Sequence, residues 1–213
     1  MIVYGSSMSP YVRKVLAFAA EKGIDVESKP LGLNSDDPDF LAVSPFKKIP
    51  AFRDGDFGIS DSSAIIFYLD ALKPEPELIP ADPKSRARAI WFDEFADTIM
   101  GACGTKMFFN RIVAPKFLKR EGDLAVAEKA ECEELPPILD YLERVIPESG
   151  FLVEDRLTLA DIAVASPFAN FRHLGLDCLD GRPKLAAYVE AMLSRPSFKP
   201  WLDRETAFLA RAA

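Results

Sequence analysis

The spacing of apolar positions changes character near residue 80. Up to about Leu72, short β-like runs alternate with helical spacings, the grammar of an α/β unit. Ile2-Val3-Tyr4 predicts a strand that stops at Gly5-Ser6-Ser7. Val12, Val15, Leu16 and Ala19 then recur at helical spacing as far as Gly23, a residue suited to ending a helix. Residues 25–28 predict a second strand, 39–42 a helical turn, 49–53 a third extended run and 57–59 a fourth strand. The Asp54-Gly55 dipeptide between the last two is a hairpin signal. Ser60-Asp61-Ser62 supplies capping side chains for a helix carrying Ile65, Ile66, Tyr68 and Leu69.

The stretch 73–83 holds four prolines, which suit neither a helix interior nor a central strand, and reads as a connection between two units. Beyond it the pattern is long and helical, through Ile90, Trp91, Phe95 and Ile99 and again through Leu135, Ile138, Leu139 and Leu142. The expected fold is an α/β domain over 1–76, a linker at 77–83 and an all-α domain over 84–213. No internal repeat or low-complexity tract interrupts it.

Composition narrows the function classes. The 213 residues suit one or two compact units, and 49% hydrophobic with 28% charged residues is ordinary for a globular protein. A net charge of -7 lacks the basic footprint that phosphate backbones or anionic membrane surfaces require, so neither nucleic acid nor a membrane is an expected partner. No apolar run approaches the roughly 20 residues of a membrane helix, and the start lacks the pattern of a secretory signal. Cys103, Cys132 and Cys178 are odd in number and widely separated, which suggests neither a disulfide framework nor a thiolate metal site. His173 is the sole histidine, so no histidine triad or metal cluster is expected. A reducing cytoplasm is the expected compartment.

The loop after the first strand carries the most chemistry. A helix opening near Pro10 points its free N–H groups and positive dipole end at that loop, where an anion such as a thiolate is stabilised. Ser9 stands beside it with a hydroxyl to donate. Moving a thiol pKa from about 8.5 to about 6.5 needs about 2.7 kcal/mol. One hydrogen bond to a charged group contributes about 1.5–3 kcal/mol and a helix dipole about 0.3–1, so the two suffice. Taken alone, Ser9 reads more readily as a helix cap. Two later features reverse that order. Ile49-Pro50 can host a cis peptide bond that turns the Ile49 N–H and C=O outward for a peptide-like ligand, the alternative being a trans proline that opens an edge strand. Asp61-Ser62, at a helix start, offers donors for a ligand carboxylate and an acceptor for an ammonium.

The order of these elements resembles the thioredoxin-like half of glutathione S-transferases: strand, Ser9-Pro10-Tyr11-Val12, helix, the run from Ser44 through Ile49-Pro50 to Phe52, then Ile59-Ser60-Asp61-Ser62. Leu157-Thr158-Leu159-Ala160-Asp161-Ile162-Ala163 is similar to the family's buried helix start, with Thr158 and Asp161 spaced as a capping box and Leu157 and Ile162 as a hydrophobic staple. The likeness spans nearly the whole chain. It points to serine-loop members, bacterial, tau-like or zeta-like, without assigning a class.

That resemblance implies a thioredoxin-like domain followed by an all-helical one, with glutathione as co-substrate in the cleft between them. Ile49 with Pro50 would pair with the cysteinyl part of glutathione, Asp61 with Ser62 would hold the γ-glutamyl end, and Lys48 would approach the glycyl carboxylate. Ser9 would donate to the thiolate, with Ser7 as the alternative and Tyr4 behind it. Tyr11, Phe108, Phe109, Arg111, Phe168 and Arg172 are candidates to line the pocket for an apolar electrophile. A serine cannot form the mixed disulfide of thiol-disulfide exchange, which leaves activation of glutathione's own thiol. Transferase activity in detoxification is the first expectation. A glutathione-binding stress or regulatory protein, or a glutathione-dependent isomerase or peroxidase, are the alternatives. A homodimer is implied, with Phe46 where some members insert an aromatic residue into the partner.

Overall fold

The computed structural model describes residues 1–32 and 35–211, so the last two residues of the expected helical half lie outside it. Strands β1 (Ile2–Tyr4), β2 (Glu27–Lys29), β3 (Ala51–Asp54) and β4 (Phe57–Ser60) form one sheet in the order β2-β1-β3-β4. β1 and β2 run parallel, joined by helix α1 (Pro10–Glu21), while β1–β3 and β3–β4 are antiparallel. Helices α2 (Pro38–Val43) and α3 (Ser62–Leu72) complete this half. β2 begins two residues later than the apolar pattern suggests, because pairing of Ile2 with Glu27 sets its register.

The helical half opens with a rod: α4 (Pro83–Glu94), a π-helical stretch Phe95–Met100, α5 (Gly101–Phe108) and a second π-helical stretch Phe109–Phe117. Then come α6 (Leu124–Lys129), a π-helical turn Ala130–Glu134, α7 (Leu135–Val145), α8 (Leu159–His173), α9 (Pro183–Leu193) and α10 (Lys199–Arg211). Residues 159–171 of α8 are buried on every side, as a central helix must be. It packs on α1 and on α4, so one core joins the halves. Asp161 anchors its start: Oδ2 accepts from the Thr158 N–H at 2.9 Å and Oδ1 from the Leu152 N–H at 2.8 Å. Burial nevertheless pushes that carboxyl up to about 6.

Leu135, Ile138, Leu139 and Leu142 all face the core, as their spacing predicts. The rod differs. Its buried face is Ala89, Phe92, Asp93, Phe95, Ala96, Met100, Cys103 and Met107, while Trp91 is 48% exposed and Ile99 47%. The expected stripe lies partly outward because the inward face uses small residues and a charge, and the π-helical stretches shift its register.

Candidate active site

Sheet register brings three loops together. Tyr4, the last residue of β1, pairs with Ala51, the first of β3, which pairs with Ser60, the last of β4. The segments 5–9, 49–50 and 61–62 therefore emerge side by side at one end of the sheet. Gly5 makes the first junction possible. Its φ is +127°, and a Cβ there would lie 2.8 Å from Val12 Cγ2 and 2.9 Å from Ile49 Cβ.

Ser9 stands at the N-cap of α1 with extended backbone, yet its hydroxyl caps nothing. Asp37, Asp61, Asp82 and Asp123, at the same position of their helices, all accept from helix N–H groups. Pro10 has no N–H, and among the described residues those of Tyr11 and Val12 have no partner; the Arg13 N–H closes the first turn on the Ser9 carbonyl at 2.9 Å. The half-buried hydroxyl thus sits beside unused donors at the positive end of a twelve-residue helix. Ser7 stands two residues before that cap, near the buried Glu205 carboxylate, whose pKa it helps to lower.

The Ile49–Pro50 bond is cis. Among the described residues neither the N–H nor the C=O of Ile49 has a hydrogen-bond partner, while the Pro50 carbonyl accepts from the Asp61 N–H at 3.3 Å. Lys48 is exposed, with no carboxylate partner among the described residues; its neighbour Lys47 is paired to Asp36 at 2.6 Å.

Asp61 has φ +95°, a conformation that costs an L-residue energy and that clusters at ligand sites. It caps α3 by accepting from the Ala64 N–H at 3.0 Å. The Ser62 hydroxyl donates to Asp97 Oδ2 at 3.1 Å and the Ser63 hydroxyl to Asp93 Oδ2 at 2.7 Å. Lys14 Nζ, 1% exposed, joins both carboxylates, 2.6 Å from Asp93 Oδ1 and 2.7 Å from Asp97 Oδ2. Burial raises the Asp97 carboxyl above its ordinary range and outweighs the pull of the Lys14 charge, with Asp93 adding to the rise. Among the described residues the backbone N–H groups of Ser62 and Ser63 have no partner, whereas both hydroxyls are engaged.

The six expected pocket residues have different surroundings. Tyr11 meets the helical half, its hydroxyl donating to the Asp97 carbonyl at 3.0 Å; burial, then the Asp97 charge, raises its pKa. Phe108 is nearly buried, Phe109 lies under the Arg120 guanidinium, and Arg111 is paired to Glu131. Phe168 is packed in the core against Phe171, and Arg172 points to Glu190 on α9. Helical spacing does not tell a core aromatic from a lining one. Burial does.

Lys14, Asp93, Asp97, Arg13, Asn170 and Glu205 escaped the sequence reading. The signal available was Arg13-Lys14 within Val12–Ala19, a run that is buried throughout. Two adjacent cations in an apolar helix require buried acceptors elsewhere.

Comparison with known proteins places these features in a family. Residues 3–77 match the family described as "Glutathione S-transferase, N-terminal domain" and residues 108–205 match "Glutathione S-transferase, C-terminal domain". The chain is similar to Glutathione S-transferase 3 of Zea mays, 32% identical over 92% of this chain and 90% of that protein. A Glutathione S-transferase of Hyoscyamus muticus is 31% identical over 95% and 98%. Among solved structures, a glutathione S-transferase from Rhodospirillum rubrum F11 superposes with a TM-score of 0.86 at 25% identity, covering 94% of this chain and 90% of the other.

Proposed function

The chain belongs to the glutathione S-transferase family, and from that membership we propose that it transfers glutathione to an electrophilic small molecule, with Ser9 as hydrogen-bond donor to the thiolate. The observation that carries the role of Ser9 is its unused hydroxyl at the open N-terminus of α1. The family relationship carries the reaction.

Glutathione lies across the end of the sheet. Its cysteinyl backbone pairs with the free N–H and C=O of Ile49 beside Pro50, as a strand pairs with an edge. The γ-glutamyl carboxylate takes the N–H groups of Ser62 and Ser63, the ammonium meets Asp61, and the glycyl carboxylate meets Lys48. The thiol proton leaves to water, and the thiolate is held by Ser9 and the end of α1. Its sulfur forms a bond to the electrophilic carbon as the leaving group departs with its electron pair, or as an activated double bond is saturated by addition. Ser9 is neither nucleophile nor base.

The helix break between Leu72 and Pro83 supports units at 1–76 and 84–213 joined by 77–83. The electrophile sits against Tyr11 and the half-buried Phe109 and Arg111; Phe168 and Arg172 face elsewhere. A homodimer is supported by large apolar side chains left open, Phe46 at 84% exposure foremost, and a reducing cytoplasm by three free thiols. The test is conjugation of glutathione to a chloronitrobenzene or an isothiocyanate, with calorimetric titration of glutathione alongside. Saturable binding and turnover are expected. Absence of both at millimolar glutathione overturns the reading.

A further inference from the structure

α10 is held to the protein in an unusual way, for its one buried side chain among the described residues is a carboxylate, Glu205, 2% exposed. Glu205 faces Arg13, which is fully buried on α1. Arg13 Nε donates to Oε1 at 3.2 Å and Nη2 to Oε2 at 2.8 Å. The remaining edge of the guanidinium reaches α8, with Nη1 donating to the Ser166 carbonyl at 2.7 Å and to Asn170 Oδ1 at 2.9 Å. Asn170 in turn donates from Nδ2 to the Met8 carbonyl at 2.9 Å. His173 Nε2 lies 2.8 Å from Glu205 Oε2.

The cluster thus reaches the loop through Asn170, which holds the Met8 carbonyl, and the next carbonyl, that of Ser9, is held by the backbone N–H of Arg13 itself. We propose that Glu205 is a positioning residue for the Ser9 hydroxyl, acting through Arg13 and Asn170 to fix the loop that presents it. The proposal rests on the assignment of Ser9 above. A buried ion pair is a poor source of stability, since apolar residues of similar volume serve as well or better. What it supplies is direction: a bidentate guanidinium–carboxylate pair tolerates little rotation, and its second edge passes that constraint to Asn170 and the loop. Serving the thiolate requires its donor within a few tenths of an ångström of the right place.

The test compares Glu205→Gln and the double variant Arg13→Met/Glu205→Leu with wild type and Ser9→Ala, all as full chains. The double variant is needed because Glu205→Gln leaves a buried guanidinium without its charge partner, whereas the apolar pair preserves packing. Thermal melting monitors the fold. Ultraviolet titration of the bound thiolate, with the kcat and the glutathione KM, monitors the site. Both Glu205 variants are expected to raise the pH at which bound glutathione ionises by about one unit, the equivalent of a tenfold loss of thiolate preference. They lower kcat roughly tenfold below that pH with less than about a twofold change in KM, because Ile49, Asp61 and Ser62 lie on other loops. If Ser9→Ala shifts the titration while a stably folded double variant keeps wild-type titration and kcat, the positioning role is overturned and the serine reading survives. If Ser9→Ala leaves the titration unchanged, both are overturned.

Discussion

The Ser62 hydroxyl donates to Asp97 Oδ2 over 3.1 Å, so the helix start assigned to the γ-glutamyl end of glutathione is fastened to the helical half by a carboxylate. Lys14 shares that carboxylate and Tyr11 holds the carbonyl of the same residue. One residue of the long rod therefore braces α1 and α3 together. Asp97→Ala removes an acceptor from Ser62 and leaves Lys14, among the described residues, with the Asp93 carboxylate and the Ser63 hydroxyl. It is expected to cost about 1–3 kcal/mol in urea unfolding and to raise the glutathione KM about five- to tenfold, with a smaller change in kcat at saturation. Unchanged KM in a destabilised variant would confine Asp97 to a structural role.

Gly5 predicts a second effect at the opposite wall. Gly5→Ala places an L-residue at φ +127° and drives a methyl against Val12 and Ile49. The conformational strain alone is about 1–3 kcal/mol. Because Ile49 must move, the KM for glutathione is expected to rise several-fold in steady-state assays, together with a lowered urea midpoint. A drop in stability with an unaltered KM would show that Ile49 does not meet glutathione.

Glu205 sets a pH dependence of stability. Burial works to raise its carboxyl, but the Arg13 charge, hydrogen bonds from His173 and Arg13, and Ser7 together hold it below the ordinary 4.5. A carboxyl lowered in the folded state contributes stability that is complete above the unfolded value and is lost as pH falls through the folded one. Melting temperatures of wild type and Glu205→Gln should therefore differ at pH 7 and converge as pH is lowered below about 4.5. A constant gap down to pH 3 would contradict the direction of the shift.

Much of this architecture was legible in the residues. Alternating runs located the four strands to within two residues, and the Thr158–Asp161 spacing announced the capping box that starts α8. Ile49-Pro50 and Asp61-Ser62 were legible because proline and cap preferences are local properties. The ion-pair clusters were not, since Arg13 and Lys14 find their partners 192 and 79 residues away and only the fold brings them together. The rod was misread on one face for a related reason. Ala89, Asp93 and Ala96 point inward, and neither small size nor charge marks a core position in a hydropathy pattern. The hydroxyl of Ser62 illustrates the same limit, for its neighbour Asp97 engages it from another helix.

The central claim, that Ser9 rather than Ser7 meets the thiol, is tested most directly by titrating bound glutathione thiolate near 240 nm in wild type, Ser9→Ala and Ser7→Ala. Loss of a hydrogen bond to a charged acceptor, about 1.5–3 kcal/mol, predicts a rise of roughly one to two pH units in Ser9→Ala and a smaller one in Ser7→Ala. A wild-type titration in Ser9→Ala, with the rise confined to Ser7→Ala, would contradict it.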